Sequence, residues 1–435
     1  MGRRANNATR HRKRQRYLLD PQIRFGSKRR GRLHRNAEGI PCRVWGMLRK
    51  RRGAKQSLLL SGWPNQPDGA KIDRADGFER QRAKVRAIQR FIGESTWNAD
   101  KMMHIYRSML DSDMGEENGV LIIDESGFRK KGNDSAGVYK QYCGNIGKVD
   151  NCRVGVFAAY ASSRGYALSD RELFVPEAWF GDEYEERRNK CRFPADLQFR
   201  TKPQISARMV NDIVERNQIS MKYVVADSIY GNSPEFIRQV ERYIGRIYFL
   251  AVPGDTKCWP KMPATAEKEY RHRGEIRKKT VSKQGEGRAV SPMDLAKGIN
   301  SYFRYRRKVS EGSKGPIEYE FSKRRVVLAK KGLPTKEIRL TMKRTLGLNP
   351  TYSFFIGNAP LSADLSLFVR LSGVRWPTEQ CFEEGKSELG MDRYEVRKYL
   401  GWNRHMPIGM LSHFFLWHLK IKLGKKSTGC YCCPA

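Results

Sequence analysis

The chain has 435 residues, with 84 Lys and Arg against 46 Asp and Glu, which gives a formal net charge of +38. Hydrophobic residues make up 39% of the chain, enough for a buried core, so wholesale disorder is excluded. No apolar run reaches the roughly 18–20 residues that span a bilayer, and no apolar segment follows the basic N-terminus, so we expect neither a membrane span nor a secretory signal.

The positive charge is concentrated in two segments. Residues 1–55 hold 19 basic side chains against two acidic ones, and residues 255–353 hold 25 against 10. This excess favours a polyanionic partner such as nucleic acid over a merely solvated surface. Nine scattered cysteines without an even framework fit a reducing, cytoplasmic setting, so for a DNA partner we expect a nucleoid-associated protein.

Residues 1–55 are predicted to form a basic, flexible arm that becomes ordered on nucleic acid. Their basic runs alternate with Gly and polar residues and leave little to form a core. The alternative is an unstructured tail that serves solubility. The candidate DNA contacts in this arm are Arg12, Arg14, Arg29 and Arg30.

Residues 56–115 are predicted to be a helical DNA-binding region. Ile88 and Ile92 share a stripe with Val85, and Ser95-Thr96 can cap a second helix that carries Met103, Tyr106 and Met109. Two short helices would suit a helix-turn-helix-like module. A plain helical docking domain is an equal alternative.

Residues 116–254 switch to an α/β pattern. The apolar runs GVLIID and YVVAD each predict a buried strand that ends in an aspartate, Asp124 and Asp227, and VYKQYC, CRVGVFAAYAS, RELFVPEAWF and RIYFLAVPG predict further strands. Thr201 and Pro203 mark the start of a helix with Ile205, Met209 and Ile213 on its stripe, and SPEFIRQVERYI predicts another helix. This order predicts a mixed α/β sheet.

Residues 255–353 break this rhythm and are predicted to form an inserted, strongly basic, β-leaning subdomain. Trp259 could stack on a nucleobase or anchor the root of the insertion, and the second alternative is favoured. Arg306 and Arg307 are its candidate DNA contacts. Residues 354–424 return to strand and helix, and residues 425–435 form a tail whose Cys430, Cys432 and Cys433 fit a frayed end better than a zinc site.

Three acidic residues could perform chemistry on phosphodiesters. If their strands are parallel neighbours, Asp124 and Asp227 meet at one edge of the sheet, where hard cations such as Mg²⁺ bind carboxylates together with substrate phosphates. Capping of turns is the bland alternative for either residue alone. In RWPTEQCFEEGKSELG, Glu379 and Lys386 share a helical face with the spacing R-x3-E-x6-K that begins at Arg375, although Glu383 could replace Glu379.

Six segments together resemble bacterial insertion-sequence transposases of the DDE superfamily, in the DDE endonuclease branch related to the IS-four-like group. They are LIIDESGFRKKG, VYKQYCGNIGKVDNCRVGVF, RELFVPEAWF, YVVADSIYGN, FLAVPGDT and RWPTEQCFEEGKSELGMDRYEVRKYLGWNRH. The resemblance covers roughly residues 56–420. The order and spacing of these segments are more specific than any single motif among them. It implies an RNase H-like catalytic domain, with flanking helices, that is interrupted before its last acidic residue.

The resemblance also implies roles for individual residues. Asp124, Asp227 and Glu379 match the metal-binding and catalytic triad, and Arg375 and Lys386 match the DNA-contacting Arg and Lys of the signature. It implies two Mg²⁺ ions per active site, for which Mn²⁺ can substitute. One position departs from the pattern, because Ser372 stands where the signature has Tyr, which puts a detail of DNA contact or end processing in doubt.

The resulting hypothesis is a transposase that binds the terminal inverted repeats, cleaves the ends and joins their 3′-OH groups to target DNA. Its expected partners are the double-stranded DNA of the transposon ends and of the target, and a second copy in a homodimer on paired ends, with no membrane. Because no G-x4-G-K-[ST] motif occurs, no nucleotide cofactor is expected. The alternatives are a catalytically inactive, domesticated DNA-binding relative and another RNase H-fold nuclease.

Overall fold

In a computed structural model of the chain, the structure describes residues 86–243, 245–272, 275–283, 285–312, 315–330, 332–360, 362–393 and 395–422. The predicted arm at 1–55, with Arg12, Arg14, Arg29 and Arg30, lies outside the described residues. So do residues 56–85 of the predicted helical region and the three tail cysteines. In the described ranges no helix is long and apolar enough to cross a membrane.

The first half of the chain builds the centre of a mixed sheet. The strands of this half are β1 (Val120–Arg129), β2 (Tyr139–Cys143), β3 (Lys148–Ser162), β4 (Gly165–Phe174), β5 (Tyr223–Ala226) and β6 (Ile247–Val252). Strand β1 lies between an antiparallel neighbour, β3, and a parallel neighbour, β5. Strand β4 is antiparallel to β3, and β6 is parallel to β5. The order across these five strands is therefore β4-β3-β1-β5-β6.

The second half extends the same sheet. The strands of this half are β7 (Cys258–Trp259), β8 (Thr265–His272), β9 (Glu275–Ser282), β10 (Tyr305–Gly312), β11 (Gly315–Lys330), β12 (Leu333–Thr345) and β13 (Tyr352–Gly357). Strand β13 pairs with β6, and β12, β11 and β10 follow outward in antiparallel order, while the short β7 pairs with β11. Only the hairpin β8–β9 forms a separate two-stranded sheet in the described part of the chain.

The predicted insertion is β-rich, as its sequence indicates, but most of it is not a separate subdomain. Its strands β10, β11 and β12 continue the central sheet through β13, because Phe354 in β13 pairs with Val252 in β6. The pairing partners are far apart in the sequence, and local patterns do not specify such long-range pairing.

The helices lie on both faces of the sheet. A helical segment at residues 86–93 precedes the first of them, and Ile92 in this segment is buried. The remaining α-helices are α1 (Ala99–Met114), α2 (Glu185–Cys191), α3 (Lys202–Glu215), α4 (Ser228–Gly231), α5 (Pro234–Glu241), α6 (Pro292–Lys297), α7 (Leu365–Gly373), α8 (Trp376–Ser387) and α9 (Tyr399–Lys422).

Helix α1 packs on the sheet, as a docking helix would. Met103 and Tyr106 are buried, and the Tyr106 hydroxyl donates to the carbonyl oxygen of Leu168 in β4 at 2.5 Å. Arg107 forms a buried ion pair with Asp170 of β4 at 2.6 Å. The apolar face of this helix is therefore used inside the fold, which favours the docking alternative for the part of the helical region that is described.

Helix α3 begins where its sequence predicts. The Thr201 hydroxyl accepts from the backbone N–H of Gln204, and the Gln204 side chain accepts from the backbone N–H of Thr201. This reciprocal capping satisfies two backbone donors at the helix start. Pro203 lies in the first turn, where a backbone N–H would have no acceptor within the helix, so the N–H that proline lacks is not missed.

One boundary differs from the prediction. RELFVPEAWF is not one strand, because β4 ends at Phe174 and a short 3₁₀ helix, Glu177–Phe180, follows Pro176, which has no N–H for a strand ladder. Two helices precede Gly390, since α7 ends at Gly373 and α8 begins at Trp376 with Pro377 in its first turn.

Candidate functional site

Asp124 and Asp227 lie side by side where the parallel pairing of β1 and β5 ends. The prediction that the first strand ends at Asp124 is wrong, because β1 continues to Arg129 in antiparallel pairing with β3. Ile123 pairs with Ala226 across the parallel strands β1 and β5, and the two aspartates are the next residues along each strand. Because neighbouring strands are about 4.8 Å apart, this register brings the two carboxylates together. The adjacency expected from the two apolar runs is therefore present.

The Asp124 carboxylate is buried and held by two donors. It has 8% of its surface exposed, and its Oδ2 accepts from an Nη of Arg375 at 2.9 Å. Its Oδ1 accepts from the backbone N–H of Glu125 at 2.9 Å. A carboxylate held from both sides has a fixed orientation on β1.

The Asp227 carboxylate caps the short helix α4. Its Oδ1 accepts from the backbone N–H of Ile229 at 2.9 Å. Burial raises the pKa of Asp227, and the neighbouring Asp124 carboxylate raises it further, against the lowering effect of Arg375. At the other end of α4, Gly231 allows close approach to β6, because a Cβ there would overlap the carbonyl oxygen of Ala251.

Helix α8 brings the third carboxylate. Arg375 is the N-cap residue of α8, and Glu379 lies exposed in its first turn. Burial disfavours the charge of Arg375, yet Asp124, Asp227 and Glu379 together raise its pKa. The Arg375 guanidinium is thus the group that all three predicted carboxylates influence.

Glu383, the rival third ligand, is also exposed on α8. Glu379 contributes to the raised pKa of Arg375. The Glu383 carbonyl oxygen accepts from the Ser387 hydroxyl at 2.6 Å. Because the Arg375 guanidinium pairs with Asp124, its interaction with Glu379 supports Glu379 as the residue that faces the two aspartates.

The oxygen atoms of the carboxylates are the type of ligand that a hard divalent cation binds. Asp124 and Asp227 supply the oxygen ligands that Mg²⁺ prefers, and their mutual repulsion is relieved by positive charge. Within the described ranges no three His, Cys, Asp or Glu residues lie close enough together to hold one ion. In this arrangement a guanidinium supplies the cationic charge at Asp124, and Glu379 completes the set electrostatically rather than by contact.

Lys386 lies on the same helix but faces β1. Its Nζ donates to the Ser126 hydroxyl at 2.7 Å and to the Gly127 carbonyl oxygen at 3.0 Å. The ammonium also lies 4.7 Å from the centre of the Phe128 ring. Burial lowers the pKa of Lys386 to about 8. In this structure the predicted DNA-contacting lysine is used to attach α8 to β1.

Glu125 points to the opposite face of β1, as strand alternation requires. Its Oε1 accepts from the Lys202 Nζ of α3 at 2.7 Å, and its Oε2 accepts from the Tyr230 hydroxyl at 3.3 Å. Asp124 is therefore the member of the Asp-Glu pair that enters the site next to α8.

The candidates in the β extension differ in exposure. Trp259 is buried, with 5% of its surface exposed, and its Nε1 donates to the carbonyl oxygen of Gly287 at 3.2 Å, so the structure favours the anchor alternative over stacking. Arg306 and Arg307 are exposed on β10. Arg306 forms an ion pair with Glu318, and the guanidinium of Arg307 lies 5.8 Å from the centre of the Tyr305 ring.

The sequence reasoning did not identify the partners of Lys386 and Glu125. Ser126 could have been found, because it lies two residues after Asp124 and so shares its face of the strand. Lys202 and Tyr230 carry no comparable signal. Ser372, at the position of the signature tyrosine, donates from its hydroxyl to the carbonyl oxygen of Val369 at 2.8 Å within α7.

Comparison with known proteins gives one family and a few relatives. The family model described as DDE superfamily endonuclease matches residues 74–316. A probable transposase for insertion sequence element IS701 from Microchaete diplosiphon is 28% identical over 186 residues, which is 43% of this chain and 43% of that protein. The matched segment thus spans less than half the length of this relative.

Two solved structures show distant similarity. The piggyBac transposase synaptic complex with hairpin DNA has a TM-score of 0.37 at 9% identity, covering 86% of this chain and 66% of that one. The NurA nuclease from Sulfolobus solfataricus has a TM-score of 0.25 at 9% identity, covering 81% and 98%. At TM-scores this low, neither similarity bears on the fold or the site.

Proposed function

Because the chain belongs to the DDE superfamily endonuclease family, we propose that it is an insertion-sequence DNA transposase. It would bind the terminal inverted repeats, cleave the ends and join the 3′-OH ends to target DNA. Its relationship to the IS701 transposase supports this reading, although the similarity covers less than half of each protein.

The observation that carries the proposal is the pair of carboxylates that lie next to each other where the parallel pairing of β1 and β5 ends. Asp124 and Asp227 meet beside the start of α8, where Glu379 is exposed to an incoming substrate. The strand order β4-β3-β1-β5-β6, with two antiparallel and two parallel pairings, supports an RNase H-like core. A protein that only bound DNA would gain nothing from adjacent carboxylates that repel phosphates.

Asp124, Asp227 and Glu379 would hold Mg²⁺, or Mn²⁺ in its place, and two ions per site suit this reaction. When bound, divalent ions activate the attacking oxygen and stabilise the leaving oxygen of an in-line displacement. The residues of the chain would orient the ligands and bind the substrate. The Asp124 carboxylate is oriented by its two donors, Asp227 is held by its hydrogen bond to Ile229, and the Arg375 guanidinium beside Asp124 would pair with the scissile phosphate.

The DNA-holding surface would lie on the basic segments. The strands β10 to β12 belong to a segment with 25 basic and 10 acidic residues, and Arg306 and Arg307 are exposed on the outermost of them. Such a surface binds mainly through phosphates, with weak sequence preference of its own. Paired transposon ends would require a homodimer, acting at the nucleoid without a nucleotide cofactor.

Strand cleavage tests the proposal. Wild-type protein should nick a duplex that carries the inverted repeat in Mg²⁺ or Mn²⁺, and Asp227→Asn should lose this activity while it retains DNA binding. The exposed Asp196 provides a matched control, since Asp196→Asn removes the same charge away from the site. Cleavage by Asp227→Asn at the wild-type rate would refute the assignment, and a preference for an RNA–DNA hybrid would favour another RNase H-fold nuclease.

A further inference from the structure

The Arg375 guanidinium occupies the electrostatic centre of the carboxylate site. One Nη donates to Asp124 Oδ2 at 2.9 Å, and Asp227 and Glu379 both act on the same guanidinium. The three carboxylates would otherwise repel one another. In the DNA-free chain their mutual repulsion is therefore balanced by a side chain of the protein itself.

The ion pair with Asp124 does not occupy all hydrogen-bond donors of Arg375 and does not bury its whole side chain. Its Nε is buried and has no hydrogen-bond partner among the described residues. A third of its side-chain surface remains exposed, whereas Asp124 retains only 12% of its side-chain surface. The side chain is thus partly open to solvent, so a second anion can approach its exposed part, while the buried Nε gains no partner from the contact with Asp124.

We propose that Arg375 is an exchangeable counter-ion, which neutralises Asp124 in the free protein and moves to a DNA phosphate when the substrate binds. Divalent cation and DNA then bind with positive coupling, because each removes an obstacle to the other. This inference rests on the proposed function, since it requires that the carboxylates take a metal ion and that the substrate has a phosphodiester backbone.

The chemistry of the side chain suits such an exchange. A guanidinium pairs equally well in geometry with a carboxylate and with a phosphate, by two parallel N–H donors. While it remains on Asp124, it adds a positive charge next to any entering cation and occupies one carboxylate oxygen. Once a phosphate accepts the guanidinium, that oxygen becomes free for a metal ion.

The position of Arg375 also suits an exchange. It precedes the first turn of α8 and has no N-capping hydrogen bond from its side chain, so its movement leaves the helix start unchanged. Lys386 cannot act in this way, because its ammonium is fastened to Ser126 and Gly127. Linkage requires the coupling to be reciprocal, so metal must strengthen DNA binding by the factor by which DNA strengthens metal binding.

Calorimetric titration of Mn²⁺ into the full-length protein tests this inference. Without DNA, Arg375→Gln should bind Mn²⁺ about tenfold more tightly than wild type, within the usual range of allosteric coupling. Addition of inverted-repeat duplex should tighten Mn²⁺ binding to wild type by a similar factor and to Arg375→Gln very little. Arg370→Gln, which removes an arginine from α7 away from the carboxylates, should behave as wild type.

Two further variants make the outcome decisive. Arg375→Lys keeps the charge but loses the paired donors, so its Mn²⁺ affinity should fall between wild type and Arg375→Gln, and the Mn²⁺-induced rise in melting temperature should follow the same order. Equal or weaker Mn²⁺ binding by Arg375→Gln, with Asp227→Asn still reducing Mn²⁺ binding, would overturn the counter-ion role alone. Mn²⁺ binding that Asp227→Asn leaves intact would overturn the metal site and the counter-ion role together.

Discussion

The two ends of α8 carry cations with opposite surroundings. At the N-terminal end, Arg375 faces three carboxylates and stays partly exposed. At the C-terminal end, Lys386 is half-buried and donates to β1. The two cations of the signature thus have different contacts, because Arg375 pairs with the Asp124 carboxylate and Lys386 attaches the helix to β1.

A second contact strengthens the attachment of the C-terminal half of α8. Glu384 lies 2.7 Å from the Nε2 of His413, which is buried in α9. Together with the Lys386 contacts, this joins α8 to a strand on one side and to a helix on the other. The end of α8 that carries Arg375 and Glu379 is therefore positioned by contacts made at its other end.

The largest expected effect distinguishes two glutamates on α8. Glu379→Gln should reduce strand cleavage in Mg²⁺ by about 10²-fold or more, since even the outer partners of metal ligands typically contribute 10–100-fold. Glu383→Gln, one helical turn further on, should change cleavage little, because Glu379 and not Glu383 lies in the first turn of α8, next to Arg375. Rates measured side by side on one duplex would decide, and equal losses in both variants would remove the distinction.

Lys386→Met should reduce cleavage by about 10–100-fold, because α8 loses its attachment to β1 while the apolar stem is retained. The salt dependence of DNA binding separates this role from a phosphate contact. A lost phosphate contact would lower the slope of log affinity against log salt by about 1, whereas loss of a helix attachment leaves the slope unchanged. Fluorescence anisotropy across a salt series measures the slope, and Arg307→Gln provides a comparison on an exposed arginine.

The smallest effect concerns stability. Without metal, Asp227→Asn should raise the free energy of unfolding at pH 7 by about 0.5–2 kcal/mol, as relief of strain in active sites commonly does. Asparagine can still cap α4, and the repulsion by Asp124 is removed.

The pH dependence of that gain has a definite sign. The pKa of Asp227 is raised in the folded state, so the fold favours the protonated carboxyl and is penalised once the carboxyl ionises. The advantage of Asp227→Asn should therefore be full at neutral pH and shrink as the pH falls through the raised pKa towards 3.8, the ordinary value. Urea melts in EDTA at several pH values would measure it, and an advantage that grew in acid would contradict this cause.

Much of the core could be predicted because its signals are local. The apolar runs before Asp124 and Asp227 specify two strands, although the first strand continues past Asp124 to Arg129, and Thr201 with Pro203 specifies the start of α3. Neighbouring parallel strands then place the acids together without further information.

The remaining features depend on distant pairings. Nothing near β13 indicates that it joins β6, so the extension was predicted as a separate unit. Lys386 finds its acceptor 260 residues away on β1, and a lysine on a helix face looks the same whether it meets a phosphate or a strand. The burial of Trp259, by contrast, agrees with the anchor role that the sequence favours.

Replacement of one carboxylate by a thiolate tests the central claim most directly. Thiolates bind Mn²⁺ better than the harder Mg²⁺, so Asp227→Cys should not cleave an inverted-repeat duplex in Mg²⁺ and should regain cleavage in Mn²⁺. The wild type should cleave in both metals. Recovery in Mn²⁺ alone would establish that the side chain at position 227 contacts the ion, and cleavage by Asp227→Cys in Mg²⁺ at the wild-type rate would contradict the account.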